Sequence, residues 1–240
     1  MIIRINETQS TNDFLNNLSK KQNLENKTIL ITDIQTKGKG QQNNYWESEP
    51  YKNLTFSIFY KNLNIEIQKQ FYISMAVSLG IIDFLNSLKI KAKIKWPNDI
   101  YVENKKICGI LIENNILKNK IQSSITGIGL NVNQTVFLKT TKNPTSLKLI
   151  KNQEFNTDGL LDKLIENIDN KFIFLLKKDF AFLKENYLNN LYLLNKIHTF
   201  TIGNKKITAK IIDIEENGKL IIQDNNNVTS KYFFKEIIIT

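Results

Sequence analysis

Gln35-Thr36-Lys37-Gly38-Lys39-Gly40-Gln41, closing on Trp46, brings two glycines, two cations and an aromatic ring into one short segment. Glycine lets the backbone approach a ligand closely, and bare N–H groups can cradle anionic oxygens. Lys37 and Lys39 add positive charge, and Trp46 offers a face for a flat ring. The spacing is neither a Walker A loop nor Gly-x-Gly-x-x-Gly, and a plain surface loop accounts equally well for the glycines taken alone. Further on, Lys95-Trp96-Pro97-Asn98-Asp99 precedes Lys106-Ile107-Cys108-Gly109-Ile110-Leu111. If Ile100–Val102 pairs back against Ile107–Leu111, Asp99 and Lys106 meet at a sheet edge. A lysine there can neutralise phosphate oxygens, and an aspartate can hold Mg²⁺ or orient an attacking amine. The alternative is a tight turn with a surface ion pair of little worth. Gly127-Ile128-Gly129-Leu130-Asn131 has the glycine spacing of a bend or a close backbone approach. Asn131 can hydrogen-bond a base edge; a glycine bulge is the plainer reading. Ser10-Thr11-Asn12 offers hydroxyls to a polar ligand, or simply caps a helix.

These groups need elements to hold them. Residues 2–5 read as a strand, and Ser10, with Asp13 three residues on, approximates a capping box for a helix to about Lys21. Thr28–Asp33 and Asn53–Tyr60 read as strands. The stretch 34–52 between them has no period, and loops beyond about 12 residues are unusual unless functional. Ile65–Leu88 reads as a long buried helix. Ile90–Trp96 alternates strictly, with Lys91, Lys93 and Lys95 on one side and Ala92, Ile94 and Trp96 on the other. Ile100–Val102 resumes the strand after Pro97-Asn98-Asp99, Glu103–Lys105 is a turn, and Lys106–Glu113 and Ile121–Leu130 are apolar strands. Thr145–Ile150 is predicted as a short helix, and Thr157–Asn190 as helical with a break near Lys178. From about Lys196 the pattern becomes short strands between polar turns: Thr199–Ile202, Ile207–Glu215, Leu220–Gln223, Thr229–Phe234 and Ile237–Thr240. That is the pattern of a small all-β barrel.

The chain has 240 residues, 41% hydrophobic and 23% charged, which suits one good core or one core with a small appendage. No apolar run approaches a membrane span, and Met1–Asn6 turns polar too soon for a signal peptide. Cys108 is the only cysteine, which excludes an internal disulfide and a multi-cysteine metal site, so the cytoplasm is the expected compartment. The net charge is +10. A basic balance can signal nucleic acid, but Arg4 is the only arginine, and arginine is the preferred reader of bases and clamp of phosphates. The charge reads as a solvated lysine surface. His198 stands alone, and the aromatics of Phe172–Tyr187 recur at core-helix spacing.

Taken together and in order, these motifs resemble the biotin–protein ligase family. The family pattern is Ser-Thr-Asn, then Gln-x-x-Gly-[Arg/Lys]-Gly ending in Trp, Lys-Trp-Pro-Asn-Asp, Lys-x-x-Gly-Ile-Leu and Gly-x-Gly-x-Asn, all present across residues 10–131. The resemblance implies an α+β fold. A mixed-sheet catalytic domain with flanking helices, class II synthetase-like, spans 1–192, and a small SH3-like β-barrel spans 193–240. It implies ATP-dependent formation of biotinyl-AMP and transfer of biotin to a lysine of a biotin carboxyl carrier protein, such as that of acetyl-CoA carboxylase, with Mg²⁺. Ser10, Thr11 and Gln35 are then expected at the ureido ring, with Asn12 also among the biotin-binding residues. Gly38, Lys39 and Lys106 are expected at the carboxylate and phosphate, with Gly109, Gly127 and Gly129 leaving room in the pocket wall. Gln41, Trp46, Asn98, Asp99 and Asn131 fall to ATP and the adenylate. Lys106, Asp99 and Lys39 are the implied catalytic residues, and Asp99 the metal ligand. Trp46 is expected to cover the adenine.

The chain departs from the pattern where Lys39, Gln41, Gln42 and Asn44 stand in place of loop arginines, and Asn43 in place of a frequent glycine, which puts tight retention of the adenylate in doubt. Some relatives carry an N-terminal helix-turn-helix; with the motifs starting so near Met1, none is expected here. A lipoate–protein ligase or octanoyltransferase is the nearest alternative, and a non-catalytic ligand- or nucleic-acid-binding module using the Lys91/Lys93/Lys95 face is the alternative of another class. Neither membrane nor nucleic acid is expected as a partner; a homodimer is left open.

Overall fold

The computed structural model describes residues 1–41, 44–138 and 143–239. The main sheet is built from β1 (Ile2–Thr8), β2 (Thr28–Gln35), β3 (Leu54–Glu66), β4 (Lys93–Lys95), β5 (Asp99–Val102), β6 (Lys105–Leu117) and β7 (Lys120–Leu130). Its strands lie in the order β1-β2-β3-β7-β6-β5-β4. β1 and β2 run parallel and every other neighbouring pair is antiparallel.

Strand periodicity sorts the residues between the two faces. In β3, Phe56, Ile58 and Tyr60 enter the main core, while Phe59 joins Leu15, Leu24, Leu30 and Ile125 under helix α1 (Thr11–Lys21). Thr55 and Ser57 share the α1 face with Phe59. On the other face lie α2 (Phe71–Ser87) and α4 (Thr157–Leu176), with the short α3 (Leu147–Lys151) between them in sequence. α2 is apolar all round, and nearly every residue from Tyr72 to Leu85 is buried, as such a helix requires. The predicted break near Lys178 is present: Lys178 has φ 59°, and Asp179 accepts from Phe182 N–H to cap α5 (Phe180–Asn189).

The C-terminal strands β8 (Ile197–Ile202), β9 (Lys205–Ile214), β10 (Leu220–Asp224), β11 (Thr229–Tyr232) and β12 (Ile238–Ile239) form a separate antiparallel sheet, ordered β11-β10-β9-β8-β12. Phe200, Ile211, Ile214 and Leu220 from this sheet belong to the same apolar cluster as α2 and the main sheet. Trp96 Nε1 donates to Gly218 O at 2.8 Å, and Lys184 pairs with Asp213 at 2.8 Å. The two sheets therefore share a continuous core.

Three expectations are corrected. The helix expected over Ile65–Leu88 begins only at Phe71, because β3 runs on to Glu66. Leu63 and Ile65 are buried while Asn62, Asn64 and Glu66 are exposed, which is strand alternation. The strand expected over Ile90–Trp96 shrinks to Lys93–Lys95. The burial alternation holds, but beyond β5 the outer edge is covered by the chain at 190–192: Ile94 N–H donates to Asn190 O and Tyr192 N–H to Ile94 O. The last strand, expected over Ile237–Thr240, is seen at Ile238–Ile239; Thr240 lies outside the described residues.

Candidate active site

A cavity of about 620 Å³ opens on the α1 face of the sheet, within the range of small-molecule sites. Its floor comes from alternation. Gly109 and Leu111 of β6 and Gly127 and Gly129 of β7 all turn to this face, with Gly109 paired to Gly129 and Leu111 to Gly127. Three missing side chains leave a trough in the sheet. All three glycines line the cavity, as expected, and the protein's own side chains lie against them. Trp46 lies in the trough: a Cβ on Gly129 would fall 2.3 Å from Trp46 Cε2, and one on Gly109 2.9 Å from Trp46 Cζ3. Asn12 fills the rest, since a Cβ on Gly127 would meet Asn12 Oδ1 at 2.4 Å. Trp46 Nε1 is buried there with no hydrogen-bond partner.

One end of the cavity is polar and closed. Ser10, Thr11, Asn12, Gln35 and Ser57 are all 8% exposed or less. Ser10 caps α1, accepting from Asp13 N–H at 3.4 Å. Thr11 N–H donates to Gln35 Oε1 at 2.9 Å. Asn12 Nδ2 donates to Glu113 Oε2 at 2.7 Å and to Leu111 O at 3.3 Å, and Asn12 Oδ1 lies 2.6 Å from Ser57 Oγ. Buried polar groups require partners, and here many of those partners lie within the same cluster.

The other end is charged. Asp99 opens β5 just after the turn through the cis Trp96–Pro97 bond, and the β5–β6 pairing brings Lys106 alongside, Nζ to Oδ1 2.7 Å. Both side chains are about three-quarters covered. Lys106 Nζ also stands 5.3 Å from the centre of a Trp46 ring, close enough for a cation–π attraction. Lys39 turns away from this pair and bridges to Asp13 at 2.6 Å. Asn98 Nδ2 donates to Ile110 O at 2.6 Å and so ties the turn to β6. Beneath the pair, burial pushes the Cys108 thiol pKa well up, with Lys106 opposing. Burial, then the Asp99 charge, pushes Tyr101 up to about 12. Among the described residues, no three His, Cys, Asp or Glu side chains come together as metal ligands, and Asp99 is the only carboxylate in the cavity wall.

Of the expected site residues, all but two line the cavity. Gly38 lies behind the wall, where a Cβ would fall 2.3 Å from Trp46 O; glycine is needed so that the loop can fold on itself, with Trp46 N–H donating to Gly38 O at 2.9 Å. Asn131 is buried beneath the floor, its Nδ2 donating to Thr145 O at 2.9 Å and its Oδ1 unpaired. Gln41 reaches the wall, whereas Gln42 and Asn43 lie outside the described residues. Sequence reasoning missed Ser57, Glu113, Phe234 and Lys235. Ser57 had a signal, a polar residue in phase with Thr55 in an apolar strand. Phe234 and Lys235 had none: they come from the second sheet, where Phe234 meets Trp96 edge to face at 6.0 Å and Lys235 enters the wall at φ 85°.

A mixed sheet with a glycine trough, a polar pocket and an adjoining Lys–Asp pair is an arrangement that could take a small polar ligand beside an anionic group. The family model described as the biotin/lipoate A/B protein ligase family matches residues 4–131, and the chain belongs to that family. It is 25% identical over 212 residues to the bifunctional ligase/repressor BirA of Bacillus subtilis, covering 85% of this chain and 64% of that protein. The chain thus spans a little under two thirds of that relative's length. It is 28% identical over 235 residues to a biotin–protein ligase of Schizosaccharomyces pombe, covering 84% of this chain and 36% of that one. Among solved structures, the biotin protein ligase of Aquifex aeolicus in complex with biotin and ATP superposes with a TM-score of 0.81 at 27% identity, covering 99% of this chain and 97% of that one.

Proposed function

We propose that this chain is a biotin–protein ligase that makes biotinyl-AMP from biotin and ATP and passes the biotinyl group to a lysine of a carboxyl carrier protein. The observation that carries the reading is the closed polar end beside the Lys106–Asp99 pair. A ureido ring pairs with such buried groups. A lipoyl dithiolane or an octanoyl tail would leave them unpaired, at a cost of about 1–3 kcal/mol for each group. That separates biotin from the other acids handled within the family.

In the first step a biotin carboxylate oxygen attacks the α-phosphorus of ATP, the bond from that phosphorus to the bridging oxygen breaks, and pyrophosphate leaves. Two anions must approach, so Lys106 offsets their repulsion, with Lys39 and Lys235 adding charge from the cavity wall. Trp46 leaves the trough to cover the adenine. Mg²⁺ arrives with ATP as part of the substrate; Asp99 suits it as one oxygen ligand, and phosphate oxygens and water supply the rest. In the second step the neutral amine of the carrier lysine attacks the acyl carbon and AMP leaves. Asp99, released by Lys106, orients that amine and takes its proton. Residues 1–192 form the catalytic unit, and 193–240 a small β unit that closes the cavity with Phe234 and Lys235. No helix among the described residues is long and apolar enough to cross a membrane, and the lone cysteine suits the cytoplasm. ATP–pyrophosphate exchange tests the reading: biotin should support it, and lipoate and octanoate should not. Exchange with lipoate alone would move the chain to the other branch of its family.

A further inference from the structure

We propose that Glu113 and Ser57 are positioning residues that fix the hydrogen-bond polarity of the buried end and thereby select a ligand with a neutral carbonyl there. The inference rests on the ligase reading and deepens it. Asn12 Nδ2 meets Glu113 Oε2 at 2.7 Å and Leu111 O at 3.3 Å. An ionised carboxylate and a carbonyl only accept, so the Asn12 amide has one orientation. Its Oδ1 therefore faces Ser57 Oγ, 2.6 Å away. An amide oxygen cannot donate, so the single Ser57 proton belongs to that bond.

Ser57 Oγ also lies 2.7 Å from Thr11 Oγ1. With the Ser57 proton engaged, the 2.7 Å contact needs the Thr11 proton, so the Thr11 hydroxyl donates to Ser57 rather than to Gln35 Oε1, its longer contact at 3.3 Å. Gln35 Oε1 is held by Thr11 N–H at 2.9 Å, a donor that admits no flip. Gln35 Nε2 is thus turned out as a donor, and no described protein group accepts from it. Ser10 Oγ, already accepting from Asp13 N–H, has its own proton to give. Both free groups at this end are donors, which suits a carbonyl oxygen and opposes a cationic or donor-bearing ring. The chain of orientations starts at Glu113, which is itself exposed, so its replacement need not unfold the protein.

The test uses pyrophosphate exchange with biotin and with 2-iminobiotin, whose protonated guanidine replaces the ureido carbonyl. Glu113→Gln gives Asn12 a partner that can donate or accept, and Ser57→Ala removes the link. Each should raise KM for biotin about tenfold with kcat little changed. Each should also lower the preference for biotin over iminobiotin. The double variant should cost about as much as either single, because both act through Asn12. General loosening would raise both KM values alike and leave the preference intact; that result for Glu113→Gln overturns the inference while the ligase reading stands. Absence of biotin-dependent exchange in the unmodified chain would overturn the ligase reading itself.

Discussion

The two ends of the cavity are built on different principles. At the polar end, Thr11, Asn12, Gln35 and Ser57 are buried and oriented by hydrogen bonds to one another and to Glu113, which leaves Gln35 Nε2 and the Ser10 hydroxyl proton for a ligand. At the charged end, Lys106 is held by Asp99, Lys39 by Asp13 and Lys95 by the Tyr101 hydroxyl, and Lys235 is exposed. Between them, Trp46 occupies the glycine trough with its indole N–H unpaired. On the proposed function, a neutral ring would be met by groups already oriented, and an anion by cations that exchange partners and an aromatic ring that moves. The first end should govern which acid binds, and the second how fast it reacts.

Removing Lys106 puts the largest strain on that division. Lys106→Ala should lower the exchange rate by about 10²–10³-fold, the loss of one preorganised contact to a developing charge. Biotin binding measured by calorimetry without ATP should weaken far less. If binding falls as steeply as exchange, the two ends are not separable and the comparison fails.

Gly129→Ala tests the region between them. The new Cβ would lie 2.3 Å from the indole, so Trp46 must leave the trough. Its fluorescence should shift toward that of an exposed indole, and KM for ATP should change about tenfold while KM for biotin changes little. An unaltered spectrum would mean that the ring does not rest on Gly129 in solution.

The polar end was more legible in the sequence than the charged one, for a physical reason. Ser10 to Asn12 sit at a helix start that local pattern placed, while Gln35 fell in the aperiodic stretch 34–52 and was assigned by the family resemblance. The Asp99–Lys106 meeting also followed from hairpin pairing over short range. What stayed hidden depends on contacts across the sheet or between sheets. Glu113 reaches Asn12 across about a hundred positions of chain, and Phe234 and Lys235 arrive through the packing of a second sheet. Nor does a glycine spacing say whether a ligand or the protein's own Trp46 fills the gap. The misplaced start of α2 had a local cause: Leu63 and Ile65 alternate with asparagines, and the apolar run that follows masked that change of period.

The floor of the charged end predicts an alkaline weakness. Burial raises the Cys108 thiol above its usual 9.0 and Tyr101 from 10.0 to about 12. Raised values mean that the unfolded chain ionises first. These groups therefore stabilise the fold fully below about pH 9, and that contribution is lost as pH rises through the raised values. The thermal midpoint should hold from pH 7 to about 9 and fall above it, and iodoacetamide should leave Cys108 unlabelled at pH 8 until the chain unfolds. Labelling of the native protein at the rate of a free thiol would show that this floor is open.

Asp13→Asn should have the smallest effect, and its direction is informative. The Lys39–Asp13 pair is nearly half exposed on both sides, so solvent screening leaves it about 0–1 kcal/mol of stability, and thermal unfolding should barely change. Catalysis should respond in the opposite sense. Freed from its carboxylate, Lys39 no longer has to give up a partner before it meets phosphate, so KM for ATP should fall about two- to fivefold. Ser10 still caps α1, because the bond it accepts comes from the backbone N–H of residue 13 and not from the carboxylate. Biotin binding at the polar end should therefore be unchanged. A rise in KM for ATP would give Asp13 the opposite role, holding Lys39 where the phosphate needs it, and the charged end would then be preformed in the same sense as the polar one.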